Sequence, residues 1–115
     1  MNDPFHDRRL VMDLDGTLCE QTAGGDAYWT AQPKKDVIAR VNRCYDEGWH
    51  VTIHTARGMR THNGDVKKII ELYEEKTRDW LIDNGVWFHE LIFGKPPGDR
   101  YVDDRSLRPD EFAGV

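Results

Sequence analysis

Apolar positions along the chain follow two rhythms: short dense runs, and longer stretches with a period of three to four. Residues 9–14, RLVMDL, are a dense run ending on acidic residues, which predicts a buried first strand. Val37, Ile38, Val41, Cys44 and Tyr45 recur at offsets of three and four. They predict an amphipathic helix over 34–47, entered past Pro33 and stopped by Gly48. Residues 49–54, WHVTIH, alternate and are rich in β-formers, predicting a second strand. A longer helix over 65–83 places Val66, Ile69, Ile70, Tyr73, Thr77, Trp80 and Leu81 on one face and ends at Asn84-Gly85. Residues 87–93, WFHELIF, predict a third strand, and 100–102, RYV, a very short fourth. Between these lie an irregular loop over 19–33, the polar loop TARGMRTHNGD, and GKPPGD, whose adjacent prolines exclude an interior strand. Residues 1–8 form a polar lead-in, and Pro109 starts a final helical turn.

Short strands alternating with long helices predict an α/β fold with a parallel sheet and right-handed crossovers. The length, 115 residues, leaves room for one domain over 1–115. In such sheets ligands bind beyond the carboxyl ends of the strands. That rule gathers the polar residues. Asp13 and Asp15 follow the first strand, Thr55 and Arg57 the second, Lys95 the third, and Asp103 and Asp104 the fourth.

Charge and composition narrow the partners. The net charge of -5 argues against coating nucleic acid and favours a metal cation over an unaided polyanion. Cys19 and Cys44 lack metal-ligand spacing and are expected to be reduced thiols of a cytoplasmic protein. The lead-in lacks the apolar core of a signal peptide, and no apolar stretch is long enough to span a membrane.

The acidic residues carry the chemistry. On extended backbone, Asp13 and Asp15 lie on one side while Leu14 faces the core. Two close carboxylates repel, so one keeps a proton or both share a divalent cation. An ionised Asp can attack phosphorus, and a protonated neighbour can give its proton to the leaving oxygen and then take one from water. The plain alternative is a solvated turn, since Asp-Gly-Thr is common in turns. Asp103 and Asp104 bring further hard oxygen ligands of the kind Mg²⁺ takes, or form a surface pair. The Thr55 hydroxyl and the backbone N–H groups near it suit a phosphoryl oxygen, and Lys95 would neutralise charge there. Arg57, Arg60 and His62 reach the rest of an anionic substrate or stand as solvated loop charges. Substrate contacts are assigned to Gly16, Thr17, Ala56, Arg57 and Arg60. His50, His54 and His89 lack metal spacing, and the four tryptophans read as core or subunit contacts.

Together these segments resemble the haloacid dehalogenase superfamily. Its four motifs are matched by 13-DLDGT-17, by Thr55 in 52-TIHTARG-58, by Lys95 in 94-GKP-96 and by 101-YVDDR-105. The resemblance covers residues 9–108 and implies a Rossmann-like three-layer fold with a short parallel sheet and flanking helices. It also implies a magnesium-dependent phosphomonoesterase working through an aspartyl-phosphate. Asp13 would be nucleophile and metal ligand. Asp15 would be general acid/base, with its carbonyl on the metal. Thr55 and Lys95 would hold the phosphoryl group, and Asp104, with Asp103 direct or through water, would complete the Mg²⁺ site. Forty positions separate Asp15 from Thr55 and forty separate Thr55 from Lys95, all consumed by helix and loop, so no cap domain fits. TARG, FGKP and YVDDRSLRPDEF further resemble small phosphatases predicted in bacterial capsule and surface-polysaccharide loci. A sugar phosphate or related metabolite is therefore the expected substrate. The alternatives are a phosphatase of nucleic-acid 3′ or 5′ ends, which the YVDDR ending also resembles, and a non-catalytic phosphate-binding or scaffold protein. An open, uncapped site on a small tryptophan-rich domain predicts a homodimer, with the 57–65 loop at the contact.

Overall fold

The structure, a computed structural model, describes residues 8–114, so residues 1–7 of the lead-in, His6 among them, lie outside the described residues. Three strands form the sheet: β1 (Arg9–Met12), β2 (His50–Thr55) and β3 (Glu90–Phe93). Their order is β1-β2-β3 and both pairings are parallel. Met12 stands opposite Ile53, and Ile53 opposite Leu91. On that face Met12, Val51, Ile53, Leu91 and Phe93 are all buried. The central strand alternates, turning Val51 and Ile53 to the buried face, and each such side chain buried contributes about 1.5–3 kcal/mol. The other face carries Val11 and Ile92, both exposed.

Helix α1 (Lys35–Asp46) joins β1 to β2 and buries Val37, Ile38, Val41 and Cys44. Gly48 ends it at φ 96°, a conformation that costs glycine least. Helix α2 (Val66–Asp83) joins β2 to β3. The Asp65 carboxylate caps it by accepting the Lys68 N–H at 3.2 Å. Ile69, Thr77, Trp80 and Leu81 are buried on its inner face, whereas Ile70, expected there, lies at the rim and is exposed. The Trp80 indole donates to the Ala31 carbonyl at 3.0 Å and ties α2 to the loop before α1. Within the loop over 19–33 a 3₁₀ helix, Gly25–Thr30, sets Tyr28 and Trp29. A short α3 (Pro109–Ala113) packs on α1 and buries Phe112.

The expected fourth strand does not form. After Phe93 the chain turns at Gly94 and passes through Pro96-Pro97. The Tyr101 hydroxyl then donates to the Pro96 carbonyl at 2.7 Å and accepts the Gly98 N–H at 2.9 Å. Residues 100–102 are thereby tied into a local turn in place of a ladder, and Val102 is 96% exposed. The third strand also starts later than expected, at Glu90, because the Trp87 N–H is taken by the Asn42 side chain. The result is an α/β fold with a short parallel sheet flanked by helices, and no second domain among the described residues.

Candidate active site

The carboxyl ends of all three strands open onto one cleft. Beyond β1 the Leu14 carbonyl accepts the N–H groups of Thr17, Leu18 and Cys19 at 3.1, 2.9 and 3.3 Å. This tight turn needs Gly16 at φ 83° and keeps Leu14 buried between the two aspartates. Beyond β2 the Thr55 hydroxyl accepts the Arg57 N–H at 3.1 Å, and its carbonyl accepts the Lys95 N–H at 3.1 Å. That last bond carries the β2–β3 pairing to Lys95 and delivers its ammonium 3.5 Å from Asp13 Oδ1.

The two aspartates have different surroundings. Asp13 is one-third exposed, and Lys95 is its cation. Burial pushes the Asp13 carboxyl above its ordinary range and outweighs the opposing pull of Lys95. Asp15 is gripped by Arg57: Nε donates to Oδ2 and Nη2 to Oδ1, both at 3.0 Å. Arg57 is 1% exposed, and its guanidinium lies 4.4 Å from the centre of the Tyr28 ring and 5.8 Å from that of Trp29. The Cys19 thiol donates to Asp15 Oδ1 at 3.5 Å. Burial, with Asp15 beside it, pushes that thiol up to about 12, so Cys19 is inert as a nucleophile. Gly58 follows at φ 78°, and a Cβ there would stand 2.7 Å from the Tyr73 ring.

The cleft encloses about 310 Å³ and is lined by Asp13, Asp15, Ala56, Arg57 and Arg60 among the expected residues. A larger hollow of about 410 Å³, lined by Trp29, Lys76, Asp79, Trp80 and Asp83 among others, receives no residue from a strand end. Thr55 is fully buried and shapes the turn behind the cleft. Gly16 and Thr17 form the β1 turn without lining the cleft, and the Gly16 carbonyl accepts the Lys34 ammonium at 3.1 Å. Arg57, read from sequence as a cation of a polar loop, is buried against Asp15. Tyr28, Gln21, Thr61 and Tyr101 also line the cleft and were not anticipated. Tyr28 stands in a stretch read only as irregular loop, and Tyr101 in the segment read as strand. The ammonium of Lys95 sits 4.1 Å from the centre of the Tyr101 ring.

Asp103 and Asp104 do not reach this cleft. Asp103 accepts the Arg105 N–H at 3.0 Å, and that bond, with Asp104 beside it, holds its carboxyl below the usual range. Among the described residues no group of three or more His, Cys, Asp or Glu side chains is placed to hold a metal ion. Asp13 faces a lysine and Asp15 faces an arginine, so the residues as arranged do not fit Mg²⁺. Among the described residues no helix is long and apolar enough to cross a membrane.

No protein-family model matches the chain, and no curated protein does. The chain is similar to an MCSG target from Vibrio cholerae known as a crystal structure. The two are 37% identical and superpose with a TM-score of 0.87, over 94% of this chain and 89% of that one. Such identity over nearly the full length of both means common descent as well as a common fold, and the chain belongs to the same protein family as this Vibrio cholerae protein.

Proposed function

We propose that the chain is a capless phosphomonoesterase of the haloacid dehalogenase type, acting on a sugar phosphate or related metabolite. One observation carries the reading: a cleft at the ends of three parallel strands holds Asp13 beside a lysine and Asp15 beside an arginine. An Asp13 oxygen would attack phosphorus as the bond from phosphorus to the leaving oxygen breaks, with Asp15 supplying the proton to that oxygen. Water would then attack the aspartyl-phosphate, give its proton to Asp15 and release phosphate with Asp13 restored. Lys95 would offset the charge on the transferring group. The volume of about 310 Å³ suits a small substrate, and the net charge of -5 disfavours a polyanion. Magnesium enters the proposal from the acidic pattern of the sequence; the arrangement described does not gather its ligands, and the steps above use protein groups alone.

The test is a phosphate-release screen across sugar phosphates, nucleotides, phosphopeptides and oligonucleotides phosphorylated at either end. It is run with Mg²⁺, with EDTA, and with Asp13→Asn as control. Release that prefers sugar phosphates and vanishes in Asp13→Asn supports the reading; loss in EDTA with return in Mg²⁺ would show that a metal draws together ligands this arrangement leaves apart. Preference for oligonucleotide ends would favour the nucleic-acid alternative. Undiminished turnover by Asp13→Asn would refute the nucleophile, and full activity in EDTA would agree with an arrangement that does not gather Mg²⁺ ligands.

A further inference from the structure

We propose that Arg57 is a positioning residue that leaves the carboxylate of Asp15 one usable proton site, on Oδ2. An ionised carboxylate offers about four acceptor positions, two on each oxygen. The Arg57 fork takes one on Oδ1 and one on Oδ2, each at 3.0 Å. The Cys19 thiol, whose one proton is shared with the Leu14 carbonyl at 3.7 Å, stands over the second on Oδ1 at 3.5 Å. What remains is the second position on Oδ2 of a residue that lines the cleft. The fork is itself immobilised. Arg57 is 1% exposed, Tyr28 covers its guanidinium at 4.4 Å, and its backbone N–H is fixed on the Thr55 hydroxyl. Three separate pieces of chain thus cooperate to orient one carboxylate: the β1 turn with Cys19, the 3₁₀ helix and the turn after β2.

A buried arginine cannot serve this geometry as a lysine would. The guanidinium is planar and donates two parallel hydrogen bonds, whereas an ammonium is a point charge that leaves the carboxylate free to rotate. Such a role differs from substrate binding, because Arg57 would act only through Asp15. It matters most where the leaving oxygen needs a proton and least where it does not.

The inference rests on the phosphatase reading, and leaving-group dependence separates the two. Wild type, Arg57→Lys and Arg57→Gln are assayed with an alkyl phosphate ester and with 4-nitrophenyl phosphate, whose phenolate departs without protonation. Urea unfolding of each variant establishes that it is folded under assay conditions. For Arg57→Lys, kcat/KM on the alkyl ester, which reports transfer to Asp13 and departure of the leaving oxygen, should fall about 10–100-fold. On the nitrophenyl ester kcat/KM should fall less than about 3-fold, while kcat on both carries the hydrolysis step they share. Arg57→Gln should lose more on the alkyl ester and keep the same asymmetry. Equal losses of kcat/KM on both esters, or unchanged kinetics in Arg57→Lys, would each overturn the positioning role. Wild type that hydrolyses neither ester would defeat the phosphatase reading itself, and this inference with it. An active wild type with equal losses in the variants defeats the inference alone.

Discussion

Two stretches of chain leave the sheet at the same edge and carry acidic residues into different surroundings. After β1 and β2, Asp15 and Arg57 meet under Tyr28, and Arg57 is 1% exposed. After β3, residues 97–108 stay at the surface, Val102 is 96% exposed, and Asp103 bonds its near neighbour Arg105. The cause is strand adjacency. β1 and β2 are neighbours in register, so their turns land side by side and a charge from one meets a charge from the other. The segment after β3 pairs with no strand, and its polar groups find partners within a few residues. Burial of charge in this molecule follows from long-range pairing, and exposure of charge from its absence.

The largest effect expected from this contrast is on stability. Arg57→Ala leaves the Asp15 carboxylate, 17% exposed, without its cation. It should cost about 3–5 kcal/mol in urea unfolding, as removal of one partner from a buried pair does. Arg105→Ala, in the exposed segment, should change stability by less than about 0.5 kcal/mol. Similar costs at both positions would break the comparison.

Backbone strain sharpens it at a smaller scale. Gly58→Ala must hold φ 78° with its Cβ 2.7 Å from the Tyr73 ring and should cost about 1–3 kcal/mol. At Gly98 a Cβ would meet nothing nearer than 3.5 Å, so Gly98→Ala should be neutral within about 0.5 kcal/mol. Paired thermal melts decide the matter, and a neutral Gly58→Ala would mean that the turn after β2 is free to relax.

The same division explains what could be read from sequence. Periodicity located α1 within a residue at each end and α2 likewise, because Val37 to Cys44 and Ile69 to Leu81 report local spacing that the core enforces. The positions of Asp13, Thr55 and Lys95 at strand ends followed from the strand pattern in the same way. The segment 100–102 has the composition of a strand, yet strand formation needs a partner, which composition does not supply; the Tyr101 hydroxyl settles it locally. The grip of Arg57 on Asp15 spans 42 positions and depends on side-chain direction, so spacing left Arg57 as a loop cation. Tyr28 was hidden for a related reason: a glycine-flanked loop gives no period from which to infer that its ring faces an arginine.

The smallest effect concerns Asp13 and Asp103, whose carboxyls are displaced in opposite directions. Burial outweighs Lys95 at Asp13, so the folded chain holds that proton more tightly than the unfolded chain does. Between the ordinary carboxylate range, about 4, and the raised folded value, the native state therefore binds more protons, and stability falls as pH rises. Above that window the cost of an ionised Asp13 persists in full. Asp13→Asn removes it and should melt higher than wild type at pH 7, while abolishing phosphate release. Below pH about 4 the advantage should vanish, since both states of the wild type are then protonated at this position. At Asp103 the sign reverses. The Arg105 N–H favours the ionised form, giving stability that is present above the unfolded value and lost as pH falls through the lower folded one. Asp103→Asn should therefore melt no higher than wild type at pH 7, with any deficit disappearing in acid. Thermal melts of the three proteins from pH 3 to 8 separate the cases. If Asp13→Asn melted below wild type at pH 7, the attraction of Lys95 would exceed the cost of burial, and Asp13 would belong with the groups the fold stabilises as ions.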